Sequence, residues 1–154
     1  MSGIVSSIDS RSGIIGGHPT AFYAYDGSGS TAVADNDPIP FDSTLYNDGN
    51  LFITGSTARF PVPIAGYYTF AVQIYLNSGA GLYIVQLAGS SSGTILSIAN
   101  PDGVSNQTLS ASTTYKCSAG ETIQLLNKSG GSRNFWIENP GAHTWFSGCF
   151  IGGG

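Results

Sequence analysis

Few residues of this chain have the type and spacing that catalysis needs. Residues 89–93 read Gly-Ser-Ser-Ser-Gly, which fits the pattern of a nucleophile elbow, a sharp turn that presents a reactive serine. That turn requires a helix after it and acid and histidine partners further along the chain. No helical pattern follows, so we predict a surface loop at this position. Without a paired set of acids and bases elsewhere, the sequence indicates a protein that is not an enzyme.

A run of acidic side chains is the candidate for a metal site. Asp35, Asn36, Asp37 and Asp42 would offer calcium the oxygen atoms that it prefers as ligands. Their spacing is not that of a known calcium loop, and Pro38 interrupts it. We therefore expect no cofactor, with calcium as the alternative that these oxygen atoms leave open.

The histidines and cysteines are too widely spaced to indicate a shared site. His18 and His143 each lie near a proline or glycine turn, so we expect solvated or interface histidines rather than a metal pair or a pH switch. Cys117 and Cys149 could form one disulfide, but in a reducing compartment we expect two free thiols. No cysteine spacing in the sequence suggests zinc.

Two tryptophans are the candidates for binding a ligand. The indole rings of Trp136 and Trp145 could stack on sugar rings and form a glycan contact. Large aromatic side chains more often belong to a core or an interface. Both interpretations stay open for these two residues.

Charge is scarce in this chain. Only 9% of its 154 residues are charged, whereas globular domains carry about 25%. Nine acids against five bases give a formal charge of −4, and the bases are not clustered. Nucleic acid and anionic membranes attract basic surfaces, so we expect neither as a partner. The length and the 41% hydrophobic content suit one compact domain.

The start of the chain does not have the pattern of a targeting signal. Residues 1–17 contain Arg11 and lack the continuous apolar stretch of a secretory signal peptide. The longest apolar stretch, Tyr67–Leu76, is far shorter than the roughly 20 residues that a membrane-spanning helix needs. We therefore expect a protein made in the cytoplasm.

Short β-type runs separated by turn residues dominate the chain. Val, Ile, Thr, Tyr and Phe recur in runs that Gly, Pro, Asn, Asp and Ser divide, and helical periodicity is absent. This pattern predicts an all-β, two-sheet sandwich of about ten strands. The predicted strands are Ala21–Tyr25, Ile39–Phe41, Leu51–Thr54, Ala58–Pro61, Tyr67–Leu76, Leu82–Gln86, Thr94–Ile98, Thr108–Ser112, Thr122–Leu126, Phe135–Ile137 and Thr144–Ile151.

One predicted strand has two unlike faces. Every second residue from Tyr68 to Leu76 is large and apolar, so this face should look into the core. The alternate residues are uncharged and include tyrosines, a composition typical of an interface core. Tyr83, in the next strand, lies on a second face of similar composition. We predict that another copy of the chain covers these side chains, with contacts at Tyr67, Thr69, Gln73, Tyr75 and Tyr83.

Several motifs occur in an order that carries a family resemblance. An early aromatic strand is followed by Ile39–Phe41, Phe60–Pro63, Ala65–Phe70, Ala119–Ile123 and Phe146–Gly148. In this order the segments resemble the trimeric jelly rolls of the complement C1q-like and tumour necrosis factor-like families. The resemblance spans residues 20–151 and implies a homotrimer of ten-stranded jelly rolls, packed around aromatic side chains of the inner sheet. Glu121 stands where these families usually have Asp, so their calcium sites are not carried over.

The amino-terminal segment differs from the rest of the chain. Ser2–Val5 and Ser12–Ile15 form an approximate repeat of aliphatic pairs flanked by glycine and serine. We predict a short extended docking arm over residues 1–17, ahead of a jelly-roll domain over residues 18–154. The alternative is an ordinary first strand of that domain. The segment resembles the N-termini of small virion proteins of tailed phages, and its expected partner contacts are Ile4, Val5, Ile8, Ile14 and Ile15.

These observations favour a structural protein of a virus particle. We expect a trimeric capsid decoration protein, located in the virion, that stabilises a phage head by bridging coat subunits. Its partners would be itself and the major capsid protein or another virion protein. The alternative is a tail-fibre tip or adaptor that binds a host-surface glycan or receptor through Trp136 and Trp145.

Overall fold

A computed structural model describes residues 20–27, 29–76, 82–100, 107–137 and 143–153, without the side chains of Ser30, Trp136 and Ile137. The described residues contain eleven strands and one 3-10 turn, Asp48–Asn50. The strands are β1 (Ala21–Tyr25), β2 (Gly29–Val33), β3 (Ser43–Asn47), β4 (Phe60–Pro61), β5 (Gly66–Leu76), β6 (Tyr83–Gly89), β7 (Gly93–Asn100), β8 (Gln107–Cys117), β9 (Thr122–Asn127), β10 (Arg133–Ile137) and β11 (Trp145–Gly152).

The strands form two sheets that enclose the core. The large sheet has the order β2-β10-β5-β11-β1-β3, and β8 pairs with β5 along its whole length. Since β8 occupies one edge of β5, the other edge is shared by two strands. There β11 pairs with residues 67–73 of β5, and β10 pairs with residues 75–76. The small sheet has the order β4-β9-β6-β7. All pairings are antiparallel, as in a jelly-roll sandwich.

The all-β, two-sheet prediction is confirmed, and β1 has the predicted bounds. Ile39–Phe41 and Leu51–Thr54 form isolated bridges instead of the predicted strands. The sequence pattern does not predict β2 and β3, because these segments hold mostly small or polar residues. They become strands by pairing with β10 and β1, which a local pattern cannot show.

The predicted alternation along β5 is also confirmed. Tyr68, Phe70, Val72, Ile74 and Leu76 are all buried, while the residues between them are exposed or half-buried. The buried side chains join an aromatic core in which the ring of Phe22 stacks on Phe52 and on Phe60. The core thus accounts for one face of the large sheet, and among the described residues no further layer of the chain covers the other face.

The packing around Gly148 explains why the Phe-Ser-Gly motif near the end of the sequence has a glycine. It lies in β11 and faces the core, where an added Cβ would lie 2.6 Å from Phe22 and 2.8 Å from Phe70. Those rings are themselves buried and have no space to retreat. The motif therefore needs glycine for close packing of two aromatic rings, not for its backbone freedom.

We expect Gly148→Ala to lower the free energy of unfolding by about 1–3 kcal/mol, the usual cost of overpacking a core. Gly152→Ala is the matched control in the same strand, because a Cβ there would meet no atom within 4 Å. Urea denaturation followed by tyrosine and tryptophan fluorescence measures both variants. Equal midpoints for the two would contradict this explanation of the motif.

Candidate functional site

The outward face of the large sheet is the candidate site. On β5 it presents four of the predicted contact residues together, Tyr67, Thr69, Gln73 and Tyr75, with Ala71 at their centre. Ala71 pairs with Ser112 of β8 on one side and with Ser147 of β11 on the other. We call the outward-pointing residues of β8, β5, β11, β1 and β3 the outward face.

One half of the outward face is aromatic. Tyr23 of β1 stacks on Trp145 of β11 with their ring centroids 5.4 Å apart, and the ring of Tyr46 of β3 lies 6.0 Å from that of Tyr23. Burial raises the pKa of Tyr23, and the nearby phenol of Tyr46 raises it further. Burial also raises the pKa of Tyr46. Both phenols are therefore neutral at physiological pH. Leu45, next to Tyr46 at this edge of the sheet, is 69% exposed.

Sequence reasoning does not identify Tyr23 or Tyr46 as site residues. The alternation in Ala21–Tyr25 carries the signal for Tyr23, because Phe22 and Ala24 turn inward and leave Tyr23 on the opposite face. Tyr46 belongs to β3, a strand that the sequence pattern does not predict. The aromatic half therefore becomes visible only after the strands are paired.

The other half of the outward face is rich in hydroxyl groups. The outward-pointing residues of β8 are Thr108, Ser110, Ser112, Thr114 and Lys116, all of them exposed. The hydroxyl oxygens of Thr114 and Thr69 lie 3.0 Å apart, and Ser110 donates to the Gln73 side-chain oxygen at 3.5 Å. Between the two halves, Gln73 donates to the backbone oxygen of His143, whose ring lies 4.8 Å from that of Tyr75.

Charge is almost absent from the outward face. Among the described strand residues, Lys116 and Arg133 are the charged ones. Arg133 shares the core-facing register of the buried Phe135, and its guanidinium group lies over the ring of Tyr83. Lys116 is therefore the one charged side chain on the described part of the outward face. A surface this large and uncharged resembles the core of an interface.

The structure corrects the prediction for Tyr83. This side chain is 2% exposed and lies inside the sandwich, where its ring meets Phe135 edge-on at 5.9 Å. Its hydroxyl donates to the backbone oxygen of Asn134. In β6 both alternate sets of residues contain large apolar side chains, so the sequence does not tell which set faces inward. Tyr83 belongs to the core and has no surface left for another copy.

The remaining candidates from the sequence are dispersed. Residues 89–93 form a turn between two strands rather than a nucleophile elbow, and Ser92 there donates to the buried carboxylate of Glu121 at 2.6 Å. The carboxylate of Asp35 accepts hydrogen bonds from Gly130 and Asn36. Within the described ranges no three His, Cys, Asp or Glu side chains lie close enough to hold a metal ion.

Both cysteines are free thiols. Cys117 is buried, and burial, together with the charge of Glu121, raises its pKa to about 12, so it is protonated and unreactive at neutral pH. Cys149 is exposed on the outward face. No helix of the described part of the chain is both long and apolar enough to cross a membrane.

Three predictions lie partly or wholly outside the described residues. The arm, with Ile4, Val5, Ile8, Ile14 and Ile15, precedes them, as does His18. The side chain of Trp136 is not described, whereas its backbone pairs with Tyr75. Trp145 is half-buried against Tyr23, so a glycan at Trp145 would compete with any partner that covers the outward face.

A second surface adjoins the outward face along one side of the sandwich. β7 and β8 are the outer strands of the two sheets at this side, and they contact each other. Several of their side chains that pack against the core are only partly buried, namely Ile95, Leu96, Ile98, Leu109, Ala111 and Tyr115. We call this strip the open edge. It is mostly apolar, whereas the hydroxyl-rich residues of the same strand β8 point outward.

Comparison with known proteins decides the family. The C1q domain family profile matches residues 21–151, which is most of the chain. The chain belongs to the C1q domain family. Domains of this family are in general structural or ligand-binding modules. No curated protein sequence matches the chain significantly.

Solved structures support the same fold at low sequence identity. Eiger TNF from S. frugiperda is 15% identical with a TM-score of 0.71, covering 90% of this chain and 96% of its own. The globular domain of zebrafish complement 1qA is 19% identical with a TM-score of 0.67, covering 88% and 99%. The PRD1 vertex protein P5 is 18% identical with a TM-score of 0.59, covering 89% and 100%. These C1q and TNF jelly rolls therefore include a vertex protein of a phage.

Proposed function

We propose that this C1q-like chain is a structural protein of a virion, a homotrimer that decorates the capsid. The observation that carries the trimer is the outward face, which is rich in tyrosine, nearly free of charge and not covered by the described part of the chain. An exposed patch of this kind marks a protein–protein contact. The PRD1 vertex protein P5, which shares the fold, supports a place in the virion.

Two surfaces of the chain suit a ring of three copies. A self-complementary surface joins copies in pairs, whereas a closed ring of three needs two different surfaces on each copy. The outward face and the open edge are such a pair. We infer that the aliphatic open edge of one copy packs on the aromatic half of the next copy's outward face, because apolar contact areas then meet. Tyr67, Thr69, Gln73 and Tyr75 lie within the contact zone.

The arm is proposed to bind the capsid. The Phe150 amide donates to the backbone oxygen of Thr20 at 2.9 Å, so the first described residue lies beside the end of β11. Thr20, to which the proposed arm is joined, is therefore at the end of the sandwich where β11 finishes. A trimer would present three arms at that end to the major capsid protein or another virion protein. Since it binds only the assembled lattice, the trimer stabilises that lattice by mass action.

Deleting Met1–Gly17 should abolish capsid binding and leave the trimer intact. Burial of an aliphatic side chain contributes about 1.5–3 kcal/mol. Loss of even two such contacts per arm weakens binding at least about 100-fold. Co-sedimentation with purified capsids measures binding, and sedimentation velocity checks the trimer. A double variant, Ile14→Ser with Ile15→Ser, is the milder test of the same contacts. Undiminished binding by the deleted form would contradict the role of the arm.

A further inference from the structure

Lys116 is an unexplained charge on the outward face. It ends the row of exposed hydroxyl residues along β8, and its ammonium group lies over the ring of Tyr67, 5.6 Å from the centroid. The described residues place no carboxylate in an ion pair with it. A cation that is to be covered by another copy of the chain needs a partner, because a buried unpaired charge is strongly unfavourable.

The geometry of a three-membered ring fixes where Lys116 lies in the trimer. Each copy of such a ring fills one sector, and its two contact surfaces meet at the symmetry axis. The outward face and the open edge of this chain share a single strand, β8. The outward residues of β8 are therefore the ones nearest the axis. Three copies of β8 would line the axis with serine and threonine hydroxyl groups, and three Lys116 side chains would face one another at one end.

We propose that this end of the axis is a binding site for a compact oxyanion, such as phosphate, sulfate or a carboxylate group. Three ammonium groups supply the positive charge. The hydroxyl groups of Thr114 and Thr69 hydrogen-bond each other, which leaves one proton of each pair as a further donor. The site is incomplete in one chain, because each copy contributes one lysine. An anion there would offset the mutual repulsion of the three lysines and thus strengthen the trimer. This inference rests on the proposed trimer.

The strand pairings show at which end of the sandwich Lys116 lies. Lys116 pairs with Tyr67, and Tyr67 also pairs with Gly152 at the end of β11. The site is thus at the end of the sandwich where β1 begins and β11 finishes, which is also the end where Thr20 lies. An anionic group of the capsid surface and a free anion are both able to reach it. Their shared chemistry is the oxyanion.

Titration with inorganic phosphate tests the proposal on the full chain. Isothermal titration calorimetry should find one phosphate per three chains, and phosphate at constant ionic strength should lower the trimer dissociation constant at least tenfold. Sulfate should act similarly, and chloride should not. Lys116→Gln should remove phosphate binding and, in buffer without oxyanions, give a trimer tighter than the unmodified one. Lys128→Gln is the matched control, because that lysine contacts Asn36 in a loop away from the outward face.

Each outcome separates the site from the trimer on which it rests. If the Lys116→Gln trimer binds phosphate as well as the unmodified trimer, the anion site is overturned and the proposed trimer is not. The same holds if the unmodified trimer binds no phosphate. A stoichiometry of one phosphate per chain also overturns it, because the site needs three lysines. A chain that stays monomeric with and without phosphate overturns both proposals. Acetate, which stands for a carboxylate of a capsid side chain, should also lower the trimer dissociation constant at constant ionic strength. No effect of acetate would overturn the carboxylate group as a ligand of the site.

Discussion

Ala71→Arg is expected to convert the proposed trimer into a folded monomer. Ala71 lies at the centre of the outward face, between Ser112 and Ser147, and its side chain points away from the core. Arginine at this position reaches solvent in a single chain, so the fold is retained. In the trimer it would be a buried charge without a partner, at a cost of about 3–5 kcal/mol for each copy. Each contact should therefore weaken at least about a hundredfold.

The matched control for this change is Ala88→Arg. Ala88 is likewise a half-buried alanine in a strand, but it lies on β6, an inner strand of the small sheet, and belongs to neither proposed contact surface. Its partners across the strands are Thr94 and Gln124 rather than residues of the large sheet. Native mass spectrometry at micromolar concentration should show monomers for Ala71→Arg and trimers for Ala88→Arg, while circular dichroism shows both folded. Trimers of Ala71→Arg would exclude the outward face as the contact.

The second large effect is expected at Asn127. Its side chain is fully buried, and its Nδ2 group donates to the backbone oxygens of Val33, Ala34 and Gly131 at 2.9, 3.1 and 3.0 Å. Its Oδ1 atom accepts from the amide and the hydroxyl of Ser129 at 3.1 and 2.6 Å. One amide thus joins the end of β2 to the turn between β9 and β10.

Replacement by leucine keeps the volume and removes every one of these hydrogen bonds. Several buried polar groups would lose their partner, and each such group costs about 1–3 kcal/mol. We expect Asn127→Leu to lower the free energy of unfolding by at least about 3 kcal/mol, measured by urea denaturation. Asn134→Ala, a change at an exposed asparagine of β10, should have an effect below about 0.5 kcal/mol. Similar midpoints for the two variants would refute the role of Asn127.

The fold could be predicted where the information is local. The alternation of β5 needs only the sequence from Gly66 to Leu76, since one set of its side chains is wholly apolar and the other is not. The same reasoning fails in β6, where Tyr83 and Val85 face inward but Ile84 is apolar as well. It also fails in β3, where Leu45 and Tyr46 are neighbours and give no alternation, so that pairing with β1 rather than composition forms the strand.

The candidate site shows the same limit. Tyr67 and Tyr75 are recognisable because they alternate with a strongly apolar face. The aromatic contact between Tyr23, Tyr46 and Trp145 joins three strands that are far apart in sequence, so it requires the register of the large sheet. Lys116 could not be identified as a site residue from the sequence, because its position on the outward face follows from the pairing of β8 with β5. Its place near the proposed axis follows from the geometry of a ring of three copies.

The positions of the strands explain where the few charged side chains lie. Charged side chains are concentrated in loops and turns of the described chain, and the strands carry only Lys116 and Arg133 among the described residues. An uncharged sheet face is costly to leave in water when it is also aromatic. Association of copies is the simplest way to remove the outward face from water.

The mass of the unmodified chain in solution tests this account most directly. Analytical ultracentrifugation across micromolar concentrations should give a single species at three times 15.9 kDa. A trimer of this mass that also falls apart in the Ala71→Arg variant is the predicted result. A chain that remains at 15.9 kDa at every concentration would contradict the account, because the outward face would then be a surface that water tolerates.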